Sequence, residues 1–356
     1  MPKTAIIHSP KFFFEMKTTK SFFSIIFLFF VLFACETKNE TEIIPKSIEI
    51  VSGNYQSGKI NSTLEAPIVI IARDENNKPL KNTIICFTET SNNNTKTIVR
   101  TTEQGTASFQ WQCTSHIGNQ QLLVNALSED EKTEVFEKSL YLTAIVGEEL
   151  VEDIDGNLYP TVTIGTQTWL SKNLQTKHYS NGEEIESIRI SSQWTTFEPT
   201  TKACVHYSQF DSEKQKELDG LLYTWAAATN GLASSTANEK IQGVCPVGYH
   251  IPNQAEWDEL LLNVGQDETT AKLLLNDTAI WKTSEMLTNS SGFSAAGSGY
   301  INSTVGVFDR LGTDTFFWTS NVEDNDYALG ITMSSSYIIY SPYLKTDGFS
   351  VRCIKD

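Results

Sequence analysis

The sequence predicts a multidomain fold in which an all-β sandwich precedes an α+β domain. Short segments rich in Val, Ile, Thr and Phe alternate with turn residues as far as residue 147. Beyond that point the composition changes, because six of the seven tryptophans fall in 151–356 and helix signals appear. About 320 residues follow the N-terminal apolar segment, a length typical of two domains.

The N-terminal apolar segment predicts a secretory signal. Residues 22–34 form an almost wholly apolar run of 13 residues, and Lys17 and Lys20 precede it. A membrane-spanning helix needs about 20 apolar residues, whereas a basic flank, a short apolar core and a small residue at its end are typical of a signal peptide. We therefore interpret 1–35 as a signal segment, with Met16 as the better start.

The end of this segment resembles the lipobox of bacterial lipoproteins. It reads Leu-Phe-Ala-Cys over 32–35, and the resemblance implies that the Cys35 thiol carries the lipid. The acidic residues Glu36, Glu40 and Glu42 resemble the surface-export signals of Bacteroidetes lipoproteins. The prediction is an outer-membrane lipoprotein that faces the cell exterior, with 36–46 as a flexible tether. The alternative is a plain signal peptide with a chance cysteine.

The charge of the chain excludes one class of partner. The chain has 27 Lys and Arg against 43 Asp and Glu, a net charge of −16. Residues 1–35 hold four Lys and one Glu, so 23 basic and 42 acidic side chains remain beyond them, a net charge of −19. Such a surface repels phosphates, so we expect no nucleic-acid partner.

Residues 47–147 predict the sandwich. The predicted strands are 47–52, 66–74, 83–88, 95–101, 106–113 and 120–126. In the clearest of them Ala107, Phe109 and Trp111 alternate with polar residues, the pattern of a strand with one buried face. This part resembles the bacterial Ig-like domains of invasin and intimin type, through its D-x-N-x-x-P-L turn and its strand QGTASFQW. The resemblance implies a spacer without catalysis.

Residues 150–356 predict the α+β domain. Asn253 followed by Glu256 is typical of a capping box, and Trp257, Leu260 and Leu261 then give one buried stripe. Shorter helices are predicted at 221–229, stopped by an Asn-Gly pair, and at 273–275. Strands are predicted at 316–319, 327–332, 337–340 and 349–354.

This second part resembles the Fibrobacter succinogenes major paralogous domain. The matching segments are GLLYTWAAATNG, GVCPVGYHIPNQAEWDELL, FSAAGSGY, FFWTSN and GFSVRCIKD, in that order. HIPNQAEWDEL and GFSVRC also resemble, more distantly, the fold of formylglycine-generating enzymes and C-type lectins. The resemblance implies a C-type-lectin-like fold and no established activity.

The residues that carry the known activities of that fold are absent from the corresponding motifs of this sequence. Calcium-binding lectins use an E-P-N or Q-P-D tripeptide and a later W-N-D, whereas the nearest matches in this chain are E-P-T at 198–200 and W-T-S at 318–320. The run Asp153, Asp155, Asn157 lacks the glycine and glutamate of an EF-hand loop, so we favour a hairpin turn over a calcium site. We therefore expect no metal, no cofactor and no enzyme.

Five cysteines remain beyond Cys35, and an odd count leaves at least one thiol unpaired. We predict a disulfide between Cys245 and Cys353, which both lie in motifs of the second resemblance. A second pair, Cys86 with Cys113, is also expected. The alternation of the strands argues against it, because Cys113 falls on the same strand face as Trp111 whereas Cys86 falls on the face opposite to Phe87. Cys204 is then the unpaired thiol or a competitor for one of these partners.

The predicted function is adhesion or binding by a C-terminal recognition module on an Ig-like spacer. The expected ligand is a glycan or a cell-surface protein, and the expected contacts are aromatic side chains that can stack on sugar rings. The candidates are Trp194, Tyr300, Tyr337, Tyr340 and Tyr343. The alternative is an enzyme acting on extracellular polysaccharide or a divergent formylglycine-generating-type oxidase.

Overall fold

The computed structural model describes residues 44–90, 92–135, 138–189, 191–206, 220–265, 270, 274–275, 281–283 and 286–356. The predicted signal, Cys35 and most of the tether lie outside the described residues. The fold is mostly β: 42% of the residues lie in strands, which form several sheets, and 9% lie in helices. The described residues belong to one compact unit, and the predicted domain boundary near residue 147 stays a prediction.

The first region, up to Gly147, contains eight strands. They are β1 (Ser47–Ser52), β2 (Ser57–Lys59), β3 (Ile68–Arg73), β4 (Ile84–Glu89), β5 (Thr95–Arg100), β6 (Thr106–Phe109), β7 (Gly118–Leu127) and β8 (Leu140–Gly147). One sheet has the order β2-β8-β7-β4-β5 and the other β1-β3-β6. The six predicted strands are confirmed with shifted ends, whereas β2 and β8 were not predicted.

The two sheets of the first region share one apolar core. Alternate residues of β3, β4 and β6 point into it, as their spacing requires. The rings of Phe87 and Phe109 stack with their centroids 5.0 Å apart, and Trp111 is 1% exposed. Apolar burial on one face of each sheet therefore stabilises this region.

The second region consists of small sheets and short helices. Its strands are β9 (Leu150–Glu152), β10 (Leu158–Ile164), β11 (Gln167–Leu170), β12 (Glu186–Ser187), β13 (Ala203–Val205), β14 (Leu222–Tyr223), β15 (Tyr249–His250), β16 (Tyr300–Asn302), β17 (Val307–Asp309), β18 (Asp314–Val322), β19 (Tyr327–Ser334), β20 (Ile338–Leu344) and β21 (Ile354–Lys355). The described helices are a 3-10 helix (Ser191–Thr196), α1 (Trp225–Thr229) and α2 (Gln254–Val264). The sheets have the orders β15-β21-β11-β10-β9, β12-β13-β14, β16-β17 and β18-β19-β20.

Local signals explain where the helices begin and end. At α2 the capping box is confirmed, because Asn253 accepts from the Glu256 N–H and the Glu256 carboxylate accepts from the Asn253 N–H. The helix predicted over 221–229 is shorter, since Leu222–Tyr223 pairs in β14. Asn230, in the left-handed conformation, ends α1 as predicted. The helix predicted at 273–275 lies mostly outside the described residues.

A buried guanidinium joins distant parts of the second region. Arg352 is 0% exposed, and its Nη atoms donate to the carbonyls of Leu170 and Phe293 and to the Asn173 side chain. Its charge lies 4.5 Å from the centroid of the Phe293 ring. No carboxylate of a described residue pairs with it, and burial lowers its pKa. Carbonyl dipoles and aromatic faces therefore stabilise this cation in place of an anion.

A second polar clamp fastens residue 356 to α2. The imidazole of His250 is 1% exposed; its Nε2 lies 2.7 Å from a Glu256 oxygen and its Nδ1 lies 2.8 Å from an Asp356 oxygen. Both ring nitrogens therefore contact carboxylates, and this one side chain joins residue 356 to the first turn of α2.

The two regions are in direct contact through both side-chain and backbone atoms. The Ser57 hydroxyl donates to the Leu158 carbonyl over 2.9 Å, and Ile117 packs against an apolar cluster of the second region. A Cβ added to Gly147 would collide with the carbonyl oxygen and the backbone nitrogen of Thr161. Only glycine fits there without a shift, so β8 passes closely against β10 at the end of the first region.

Candidate binding site

The structure corrects the prediction for Trp194. This side chain is 0% exposed, its Nε1 donates to the Thr346 carbonyl over 2.6 Å, and its ring packs against Phe197. The sequence around it was interpreted as a loop, but it forms a 3-10 helix whose one buried residue is this tryptophan. A side chain in the core does not contact a ligand.

The four predicted tyrosines do not form one platform. Tyr300 and Tyr343 are half-buried and pack with Phe316, at centroid distances of 4.6 and 5.8 Å. Tyr340 faces another apolar cluster, where its hydroxyl donates to Asp258 over 2.8 Å and burial raises its pKa. Tyr337, at 40% exposure, donates to Asp314. Ligand contact by the tyrosines stays a prediction.

One predicted disulfide is present and the other is corrected. Cys245 is bonded to Cys353, with their Cα atoms 6.0 Å apart, which confirms that pair. Cys86 and Cys113 are free, because Cys113 points into the core between the sheets while Cys86 lies on the other face of β4. The two thiols cannot meet because Cys86 alternates with Phe87, which faces the core that contains Cys113. Cys204 is also a free buried thiol, and burial raises its pKa to about 12.

The loop between β9 and β10 is a hairpin turn rather than a cation loop. The Asp153 carboxylate accepts from the N–H groups of Asp155 and Asn157, from the Asn157 amide and from the Tyr159 hydroxyl. Gly156 follows with a φ of 82°, as the turn requires. Internal donors therefore saturate this carboxylate. The described residues hold no group of three or more His, Cys, Asp or Glu side chains able to hold a metal ion.

The same turn orients a histidine. The Asp155 carboxylate accepts from the Thr176 hydroxyl over 2.8 Å, from the Lys177 N–H over 2.6 Å and from His178 Nδ1 over 2.6 Å. Burial raises the pKa of Asp155, but the hydrogen bonds that it accepts outweigh burial and lower it overall. An ionised carboxylate only accepts, so Nδ1 of His178 donates to it and the ring is held with Nε2 available for a ligand.

His178 lines a depression of about 240 Å³, which we call the His178 depression. Its lining also includes the Glu152 carboxylate, the Ser180 hydroxyl and two turn tips. These tips are Ile154 and Val247, which are 51% and 79% exposed. Sites for drug-sized ligands measure about 300–1,000 Å³, so this one suits a single ring or side chain.

Both turn tips are fixed in place. Ile154 follows the saturated Asp153, and Val247 lies two residues beyond the disulfide-bonded Cys245. The Tyr249 N–H donates to the Pro246 carbonyl and closes the second turn. Sequence reasoning missed this site, because neither tip belongs to an aromatic or metal-ligand pattern. The signal that was available is an apolar β-branched residue at a turn tip, where polar residues, Gly and Pro dominate.

Taken together, these features define a mostly β protein with a sandwich region and an irregular second region that carries the depression. The family model for the Fibrobacter succinogenes major domain matches residues 162–355. That match covers more than half of the chain, which therefore belongs to this family. The family description names no activity, and no positive evidence for catalysis accompanies it.

Comparison with other known proteins adds little. A solved structure of the Yersinia pseudotuberculosis adhesin InvE matches with 10% sequence identity over 87% of this chain and 70% of the adhesin chain. Its TM-score of 0.25 is too low to carry an argument about fold or function. No curated protein matches.

No described helix is both long and apolar enough to cross a membrane.

Proposed function

We propose that this chain is a non-enzymatic, lipid-anchored binding protein that displays a recognition module on an Ig-like spacer outside the cytoplasm. The observation that carries the proposal is the His178 depression, a fixed concavity with exposed apolar tips and hydrogen-bonding groups. Rigid, mixed polar and apolar concavities are the usual form of binding sites.

Each part has a role in this proposal. Cys35 carries the lipid that holds the chain on the outer membrane, facing the exterior. Residues 47–147 act as the spacer, and 150–356 form a C-type-lectin-like module that binds a glycan or a cell-surface protein. The charge of the chain, −16, supports ligands other than nucleic acid.

The oxidase alternative has little support in the described cysteines. It needs a pair of thiols that bind copper, whereas Cys245 and Cys353 are bonded to each other and Cys204 is buried alone. A polysaccharide hydrolase remains the alternative to test beside binding, because its two carboxylates need no sequence motif.

The anchor is tested by Cys35→Ser in cells that produce the full chain. We expect the variant to leave the membrane fraction, because without the thiol no acyl chains attach, and each buried methylene contributes about 0.8 kcal/mol to membrane binding. Cys86→Ser is the matched control and should stay with the membranes. Retention of the Cys35 variant after detergent-free washing contradicts the anchor, and resistance of the wild type to protease added to intact cells contradicts surface exposure.

Binding is tested with the purified full chain in a sugar-free detergent. An array of glycans and extracellular proteins is probed with the chain, and release of reducing ends from the same glycans is measured in parallel. Saturable binding without release supports the proposal. Release of reducing ends, or no binding to any member of the array, contradicts it.

A further inference from the structure

The His178 depression offers a distinctive set of hydrogen-bonding groups. Two groups of the lining have no hydrogen-bond partner among the described residues, namely His178 Nε2 and the Glu152 carboxylate, which is an acceptor. The Ser180 hydroxyl accepts from the Gln242 amide over 3.0 Å, which leaves its own O–H free to donate. A ligand with several hydroxyl groups, each both donor and acceptor, satisfies all three groups at once.

The charges of the site limit the ligand further. Three carboxylates lie in or directly behind the lining, those of Glu152, Asp153 and Asp155, and none of the described lining residues is Lys or Arg. An anionic ligand would therefore be repelled, since no cation compensates these charges. The ligand that fits is uncharged.

The apolar tips give the site a third property. Ile154 and Val247 expose methyl groups at two turns of the lining, where they offer contact area to an apolar surface. A sugar ring has such a surface in its C–H face, beside its hydroxyl groups. The volume of about 240 Å³ admits one ring rather than a chain of them.

We propose that the His178 depression binds one neutral sugar residue of a glycan. His178 Nε2 and Glu152 hydrogen-bond to neighbouring hydroxyl groups, Ser180 donates, and Val247 and Ile154 pack against the ring. This inference rests on the proposed binding function and names the site and the ligand class.

The test uses the full chain in a sugar-free detergent and nuclear magnetic resonance titration. The probes are the methyl glycosides of glucose, galactose, mannose and N-acetylglucosamine, with glucuronic acid and a lysine-rich peptide as charged comparators. We expect millimolar binding of at least one neutral glycoside and weaker binding of glucuronic acid. His178→Ala and Val247→Asp should each lower the association constant roughly tenfold.

Matched controls separate the site from general effects on folding. His116→Ala removes an exposed histidine of the first region, and Val305→Asp changes another exposed valine that precedes a glycine at a turn, 62% exposed. Both should bind as the wild type does. Because Val247 is an exposed turn tip, its substitution leaves the core intact.

Three outcomes overturn the proposal. In the first, the glycosides bind but His178→Ala and Val247→Asp bind equally well, so the site is wrong while the binding function stands. In the second, glucuronic acid or the lysine-rich peptide binds more tightly than every neutral glycoside, so the ligand class is wrong. In the third, no glycoside binds; the glycan and protein array then decides separately whether the proposed function also fails.

Discussion

The two regions of this chain are stabilised in different ways. The first region has two sheets over one apolar core, and its charged pairs lie on the surface, as Arg100 does with Glu129 at 2.9 Å. The second region has four small sheets and several apolar clusters. Within it lie a disulfide, the buried Arg352 and the buried His250.

The difference shows how an irregular fold compensates for short ladders. Strands of two or three residues, such as β14 and β15, contribute few backbone hydrogen bonds each. The disulfide, Arg352 and His250 then join segments that are distant in the chain. We therefore expect single substitutions at these clamps to destabilise the second region far more than equivalent changes destabilise the first.

The largest effect is expected from the disulfide. Cys245→Ala with Cys353→Ala opens a loop of 108 residues, and the chain-entropy model gives a loss of about 4 to 5 kcal/mol in the free energy of unfolding. Urea unfolding followed by tryptophan fluorescence measures it. The double variant Cys86→Ala, Cys113→Ala is the control and should lose far less, since these thiols close no loop. Equal losses in both would contradict the comparison.

The next effect is expected at Arg352. Arg352→Met leaves the carbonyls of Leu170 and Phe293 without this donor, and each unsatisfied buried acceptor costs about 1–3 kcal/mol. The expected loss is about 3 to 4 kcal/mol in the same measurement. The control Arg100→Met removes an exposed cation of the first region and should leave the unfolding midpoint unchanged. A midpoint for Arg352→Met equal to that of the wild type would mean that the guanidinium contributes nothing.

A smaller effect is expected at the contact between the regions. Gly147→Ala places a Cβ against the Thr161 carbonyl oxygen, and relieving such overpacking costs about 2 kcal/mol. Lys59→Met, which removes a largely exposed ion pair with Glu149, is the control and should cost at most about 0.5 kcal/mol. Trp111, the one tryptophan before residue 147, reports on the first region. If Gly147→Ala leaves both regions as stable as in the wild type, they are independent of this contact.

The regular parts of the fold could be predicted from local patterns. Alternation over the predicted strand 106–113 correctly indicated that Phe109 and Trp111 are buried, and the Asn253–Glu256 pair located the start of α2. Strand β2 was not predicted, because three residues are too few to show an alternation of apolar and polar side chains. The fully buried Trp194 was placed on the surface because its burial depends on segments more than 100 residues away, such as that of Thr346.

The candidate site was beyond sequence reasoning for a related reason. Asp155 and His178 are 23 residues apart, and Val247 is further still, so only the folded chain brings them to one depression. Their types match no short motif. The disulfide was predictable because both cysteines lie in family motifs, whereas the pairing of Cys86 with Cys113 failed on the strand parity that already argued against it.

The position of the clamps along the chain has a consequence for biogenesis. Arg352, Cys353 and Asp356 act on partners such as Leu170, Cys245 and His250, which are synthesised about 100 or more residues earlier. The contacts of Arg352, Cys353 and Asp356 therefore cannot form while the earlier segments are being synthesised. The second region completes its fold only after residues 352–356 have been synthesised. Under the proposed export of this chain the delay is useful, because an unclosed polypeptide can be threaded through a translocation channel. Pulse-labelling with thiol alkylation during export should then find Cys245 still reactive until residue 353 has crossed.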